Sequence, residues 1–135
     1  MMQRTIWRDG GAALLGAIAL CLFHVPRLGA MEFLGQAGVL GEWELTGNLT
    51  EGGSGPKEFS GPLKMKHVGI CNPNGPEERA GEIRLQLTGR SESRVTAELV
   101  LDGVRCTYSA SKTHAYEGTL SCESRTPVPL LVWLK

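Results

Sequence analysis

The chain has 135 residues, a length suited to one domain. Fourteen basic residues balance fourteen acidic ones, and they are scattered, with no basic run longer than Lys64-Met65-Lys66. That argues against nucleic-acid binding, which needs a clustered basic surface. Eighteen glycines and few aromatics suit short strands joined by tight turns better than a helical bundle.

Residues 1–30 have the pattern of a secretory signal-peptide helix: Arg4 and Arg8, then the apolar stretch GAALLGAIALCLF, then the helix-breaking Pro26. The apolar run is about a dozen residues, short of the roughly 20 that a membrane-spanning helix needs. Cleavage is expected after Ala30, with Ala37 as the alternative. Cys21 follows the bulky Leu20 and precedes Leu22-Phe23, so it reads as part of the discarded signal rather than as an acylation site. Without residues 1–30 the chain keeps eleven basic and thirteen acidic residues, a net charge of −2. The expected product is periplasmic or extracellular, with no membrane segment after signal cleavage.

Residues 31–40, MEFLGQAGVL, have no clean period and are expected to be a lead-in segment or a turn over one end of the domain. The domain itself is placed at 41–135. From Gly41 the pattern alternates: Trp43, Leu45 and Leu49 fall on one face, and Glu42, Glu44, Thr46 and Asn48 on the other. Period-two alternation marks a half-buried strand. A loop-like stretch follows, and then Leu63 and Met65 alternate with Lys64 and Lys66. Val68 and Ile70 sit on the opposite parity, which calls for a bulge near His67 or Gly69. After the proline-rich loop at 72–80, Ile83, Leu85 and Leu87 define the cleanest strand.

Asp102-Gly103 is a strong hairpin signal. Pairing around it sets Leu101 opposite Val104, Leu99 opposite Cys106 and Ala97 opposite Tyr108, all on the apolar parity. A second hairpin centred near His114 sets Tyr108 opposite Leu120 and Cys106 opposite Cys122. Directly opposed strand positions are close enough for a disulfide, and an exported chain meets an oxidising compartment. A Cys106–Cys122 bridge is therefore expected. Cys71 is then the odd cysteine: a free thiol, an alternative partner for Cys106 or Cys122, or one half of an intermolecular bond.

The last segment is apolar on both parities, Leu130, Val132 and Leu134 against Leu131 and Trp133. Such a strand is usually covered on both faces, and residues 31–40 are the favoured cover. The competing reading makes Leu131 and Trp133 an exposed anchor for a partner. Seven strands follow, at 41–49, 62–70, 81–88, 94–101, 104–110, 116–122 and 128–134. The fold class is all-β: a small antiparallel up-and-down barrel, or a half-open meander, of about seven to eight strands.

No catalytic constellation emerges. Asp102, the one aspartate after the signal, belongs to a hairpin turn, and His114 falls at a turn tip. His67, Cys71 and His114 match no strong zinc spacing, and Glu77-Glu78 reads as loop charge. No cofactor motif is present; the glycines at 52–55 lack the lysine–hydroxyl ending of a phosphate loop. Asn48-Leu49-Thr50 fits a glycosylation acceptor and matters only in a eukaryotic source.

Gly41-Glu42-Trp43 at the head of the first alternating strand resembles the opening motif of calycin-like small barrels, the lipocalins and avidins. It is similar also to the opening of small periplasmic protease-inhibitor barrels that carry one disulfide. The resemblance covers the mature chain in outline and three residues in detail. It implies that Trp43 packs across one barrel end. The later lipocalin motifs and the aromatic lining of an avidin pocket are absent from this chain. Two functions are set against each other. The first is a non-catalytic binding module, an inhibitor of or adaptor for another protein, with Leu131, Trp133, Asn72, Asn74, Glu77 and Glu78 as candidate surface. The second is a barrel carrying a small apolar ligand; a structural envelope protein is a third. A barrel interior filled by side chains favours the first, and a hollow one the second.

Overall fold

A computed structural model describes residues 29–52, 55, 57–69 and 73–135. Residues 1–28 of the expected signal segment, with Cys21, and the positions Cys71 and Asn72 lie outside the described residues. The strands are β1 (Ala30–Ala37), β2 (Trp43–Glu51), β3 (Glu58–His67), β4 (Glu78–Thr88), β5 (Arg94–Leu101), β6 (Val104–Lys112), β7 (Tyr116–Cys122) and β8 (Val128–Leu134). Each pairs antiparallel with its neighbour in sequence, and β8 returns to β1 to close the barrel. Closure leaves no open edge for another strand to template on.

Three expectations need correction. Residues 31–40 are neither a lead-in nor a cover over β8. Most of them form β1, paired edge-on with β2 (Gly35 opposite Leu45) and with β8 (Gly35 opposite Val132). The alternation is in fact present, with Phe33, Gly35 and Ala37 inward, but a glycine and an alanine give it almost no hydrophobic contrast. The domain therefore begins at β1 rather than at Gly41. Finally, β3 has no bulge. Its register with β2 is the same from Glu51 opposite Phe59 to Trp43 opposite His67, and the strand stops there. Val68 is exposed because it lies past the strand end, on a connection.

Both hairpins have the expected register, Leu99 opposite Cys106 and Cys106 opposite Cys122 among the pairs. Asp102 and Gly103 both have positive φ, 49° and 77°, the mirror-image turn whose twist suits a hairpin. Cys106 and Cys122 are bridged, with 4.0 Å between their Cα atoms.

The interior is filled by side chains. Phe33, Leu45, Leu49, Leu85, Leu99 and Val132 are at most 1% exposed. Burial of each such side chain contributes about 1.5–3 kcal/mol. Tyr108 reaches across this core, its hydroxyl 2.9 Å from the Tyr116 carbonyl and 3.2 Å from that of Leu130. A buried phenol is thereby given acceptors. Gly118 is needed where β7 crosses close over β6, since a Cβ there would collide with the Ser109 carbonyl. Outward positions are mostly polar, Glu44, Lys64, Arg84, Glu98, Arg105 and Glu117 among them, with Leu34, Val100, Leu131 and Trp133 as apolar exceptions. This is the inverse of a membrane barrel, which is apolar outside and polar within.

Candidate functional site

Because strands alternate in direction, the connections fall into two groups. The upper end carries β1–β2, β3–β4, β5–β6 and β7–β8. The lower end carries β2–β3, β4–β5 and β6–β7, together with Ala30 and Lys135.

At the upper end the β1–β2 turn is Gly38-Val39-Leu40-Gly41, closed by the Gly41 N–H donating to the Gly38 carbonyl at 3.2 Å. The Leu40 N–H donates to the Glu42 carboxylate at 3.0 Å, fixing the turn from its stem. Gly38 has φ of 97°, and a Cβ there would strike that same carboxylate, so only glycine fits. The construction presents two aliphatic side chains to solvent: Val39 is 83% exposed and Leu40 90%. Val68, on the adjacent β3–β4 connection, is 49% exposed.

Beside this tip stands Trp43, half-buried at the barrel rim. The His67 ring meets it edge-on at 4.4 Å between centroids, and the Arg79 guanidinium lies 5.3 Å over its face. Arg79 is held in turn by Glu77 at 2.8 Å and lies 3.9 Å from Asp102. Beneath Trp43 is a cavity of about 150 Å³, walled by Met65, Leu101, Val104, Leu120 and the Cys106–Cys122 bridge. The volume is that of a cavity filled by benzene, so it accommodates one apolar side chain and not a larger ligand. The four connections carry Glu42, Glu77, Asp102 and Glu123 against Arg125, a net charge of −3.

The expected surface residues do not converge. Glu77, Glu78 and Asn74 are exposed at the upper end. Leu131 and Trp133 lie on the outer wall, where Trp133 is opposite Leu34 and Leu131 opposite Gln36. They are half-buried by neighbouring side chains, with no segment lying over them among the described residues. His67 and His114 stand at opposite ends of the barrel, as do Asp102 and His114, so neither pair meets at a common site. Val39 and Leu40 carry no period of their own, so the sequence places them with the lead-in segment rather than at a site. The signal that marks them is two adjacent aliphatics flanked by glycines between two strands.

The outer face over β3–β7 holds a broad open depression of about 910 Å³. Its rim mixes Glu82, Glu98 and Glu123 with Arg84 and Arg105, which gives no preferred sign of charge. No protein-family model, curated protein or solved structure matches the chain.

Proposed function

We propose that this barrel is an exported, non-catalytic module that binds another protein through its upper end, as an inhibitor or an adaptor. One observation carries the reading. Val39 and Leu40 are 83% and 90% exposed on a turn fixed by Gly38, Gly41 and Glu42. A folded chain gains nothing for its own stability from two solvated aliphatics on a rigid turn, whereas burial against a partner gains about 25 cal/mol per Å² of apolar area. Rigidity matters because a preformed tip loses little conformational entropy on docking. The acidic fringe favours a partner whose receiving pocket is apolar and rimmed by basic residues. The disulfide suits the oxidising compartment that export implies.

The alternative, a barrel carrying a small apolar ligand, has less support, because Leu45, Leu85 and Leu99 fill the interior that such a ligand would occupy. The test is site-specific photo-crosslinking in the native host. A photoreactive residue at Leu40 is expected to capture a discrete protein adduct, and the same residue at Thr107 on the outer wall none. Adducts from Leu131 instead of Leu40 would move docking to the outer wall. Adducts from no position, with a small molecule retained in the native mass spectrum, would favour the ligand carrier.

A further inference from the structure

The lower end holds a recess of about 210 Å³ that the upper-end reading does not use. Its walls are apolar, from Met31, Leu87, Val132 and Leu134, and the Tyr116 ring forms one side. The Tyr116 hydroxyl is already committed, donating to the Glu92 carbonyl at 2.6 Å, so this largely buried ring adds a small apolar surface to the recess and not a polar group. Lys112 arches over that ring, its Nζ 5.6 Å from the centroid, and Lys135 and His114 stand on the rim. A single acidic side chain, Glu92, borders the recess among the described residues, and the Lys57 ammonium holds it at 3.1 Å.

We propose that this recess binds a small organic anion, an aromatic or short-chain aliphatic carboxylate, with its apolar body against Tyr116 and its charge toward Lys112. Size, polarity and sign each narrow the ligand. The volume exceeds the roughly 150 Å³ that benzene fills and falls short of the 300–1,000 Å³ typical of drug-sized ligands. A nucleotide or a full lipid chain is too large. The walls reward an apolar body, since water gains few hydrogen bonds among Met31, Leu87 and Val132. The rim decides the charge. Lys112 keeps its three N–H donors while its charge rests over the ring, and Glu92 is answered by Lys57, so a carboxylate meets two lysines and no unpaired acid. The side chains of the connections here and of Lys135 are Lys57, Arg90 and Lys135 against Glu92, a side-chain charge of +2, opposite in sign to the other end.

The experiment is an NMR titration of the isotopically labelled protein with benzoate and hexanoate, with benzyl alcohol as the uncharged control. Saturable shifts are expected at the amides of Ala115, Tyr116 and Leu134, with none across Gly38 to Gly41. Lys112→Ala should weaken benzoate binding about tenfold, the loss of one charge-assisted contact, and Lys112→Arg should restore most of it. Lys112 is exposed, so both variants fold. Three results overturn the proposal: no saturable shift up to about 20 mM, where even a ligand this small should bind detectably; benzyl alcohol binding as tightly as benzoate; or Lys112→Ala leaving the affinity unchanged.

Discussion

The two ends of the barrel are made from the same eight strands and treat their side chains in opposite ways. The upper end puts aliphatic residues outside, Val39 and Leu40 on a turn that buries neither, and fringes them with acid. The lower end turns its large side chains inward. Tyr116 is 4% exposed, bonded to the Glu92 carbonyl, and backed by an apolar recess under a basic rim. The difference shows what a closed barrel leaves free. Interior positions are committed to packing, so the freedom that remains lies outside the core, and the two ends use it differently: one projects its side chains and the other folds them around a recess.

The largest effect is expected from the disulfide, which braces only the upper end. Cys106 and Cys122 are 16 positions apart, and a loop of this size stabilises by about 3 kcal/mol on the chain-entropy model. The Cys106→Ala/Cys122→Ala protein should lose about that much in urea unfolding. Amide exchange should quicken first in the upper halves of β6 and β7, before the lower end, where Tyr116 is tied to Glu92. Uniform loosening of both ends would break the comparison, because it would mean that the barrel opens as one unit.

A smaller loss is expected from Tyr108→Phe, which leaves the carbonyls of Tyr116 and Leu130 without this donor. The change should cost about 1 kcal/mol, the usual net worth of such a bond. Its pH signature is more specific. Burial first, and then the Glu117 and Tyr116 charges, raise the Tyr108 phenol above its ordinary 10.0. Tyr116 is raised too, by burial and then by Glu92. Folding therefore favours the neutral phenols. The stabilisation is fully present below pH 10 and is lost above it, as the unfolded chain ionises first, at up to about 1.4 kcal/mol per pH unit for each tyrosine. Unfolding measured between pH 9 and about pH 11 should show this slope, shallower in Tyr108→Phe. An unchanged slope would mean that the Tyr108 hydroxyl is solvated in solution.

The sequence made some of this legible and concealed the rest, for physical reasons. Alternation was strong where each inward position held a large aliphatic residue, so β4 and β5 were plain, and Asp102-Gly103 set the β5–β6 register and through it the cysteine pairing. β1 is hard to see because Gly35 and Ala37 face inward without the bulk that makes alternation visible; a side chain at position 35 would press on Leu130 and Leu45. The upper-end tip went with it. The lower-end recess had no local signature at all. Lys112 meets Tyr116 across the β6–β7 hairpin and Leu134 follows from β7–β8 pairing, but Met31 joins them only because β8 closes onto β1, and closure is a long-range property that no short window carries.

The smallest stability effect is the one that bears most directly on the difference between the ends. Val39→Ser/Leu40→Ser should alter the unfolding free energy by less than about 0.5 kcal/mol, as exposed substitutions do. Leu45→Ala in the interior should cost about 2–5 kcal/mol. Val39 and Leu40 have almost no buried area to lose, and the Glu42 contact that shapes the turn comes from the Leu40 backbone and survives the change. A turn kept for folding would show its aliphatics in the unfolding curve; a turn kept for docking would show them only when a partner is present. A loss above about 1.5 kcal/mol would mean that the tip packs against its own barrel in solution. The upper end would then be closed, and docking through Leu40 would have to be abandoned. An unchanged unfolding curve, together with loss of cross-linking from a photoreactive residue at the neighbouring Val68 in the double variant, would assign these two aliphatic residues to partner binding, a use the barrel itself does not make of them.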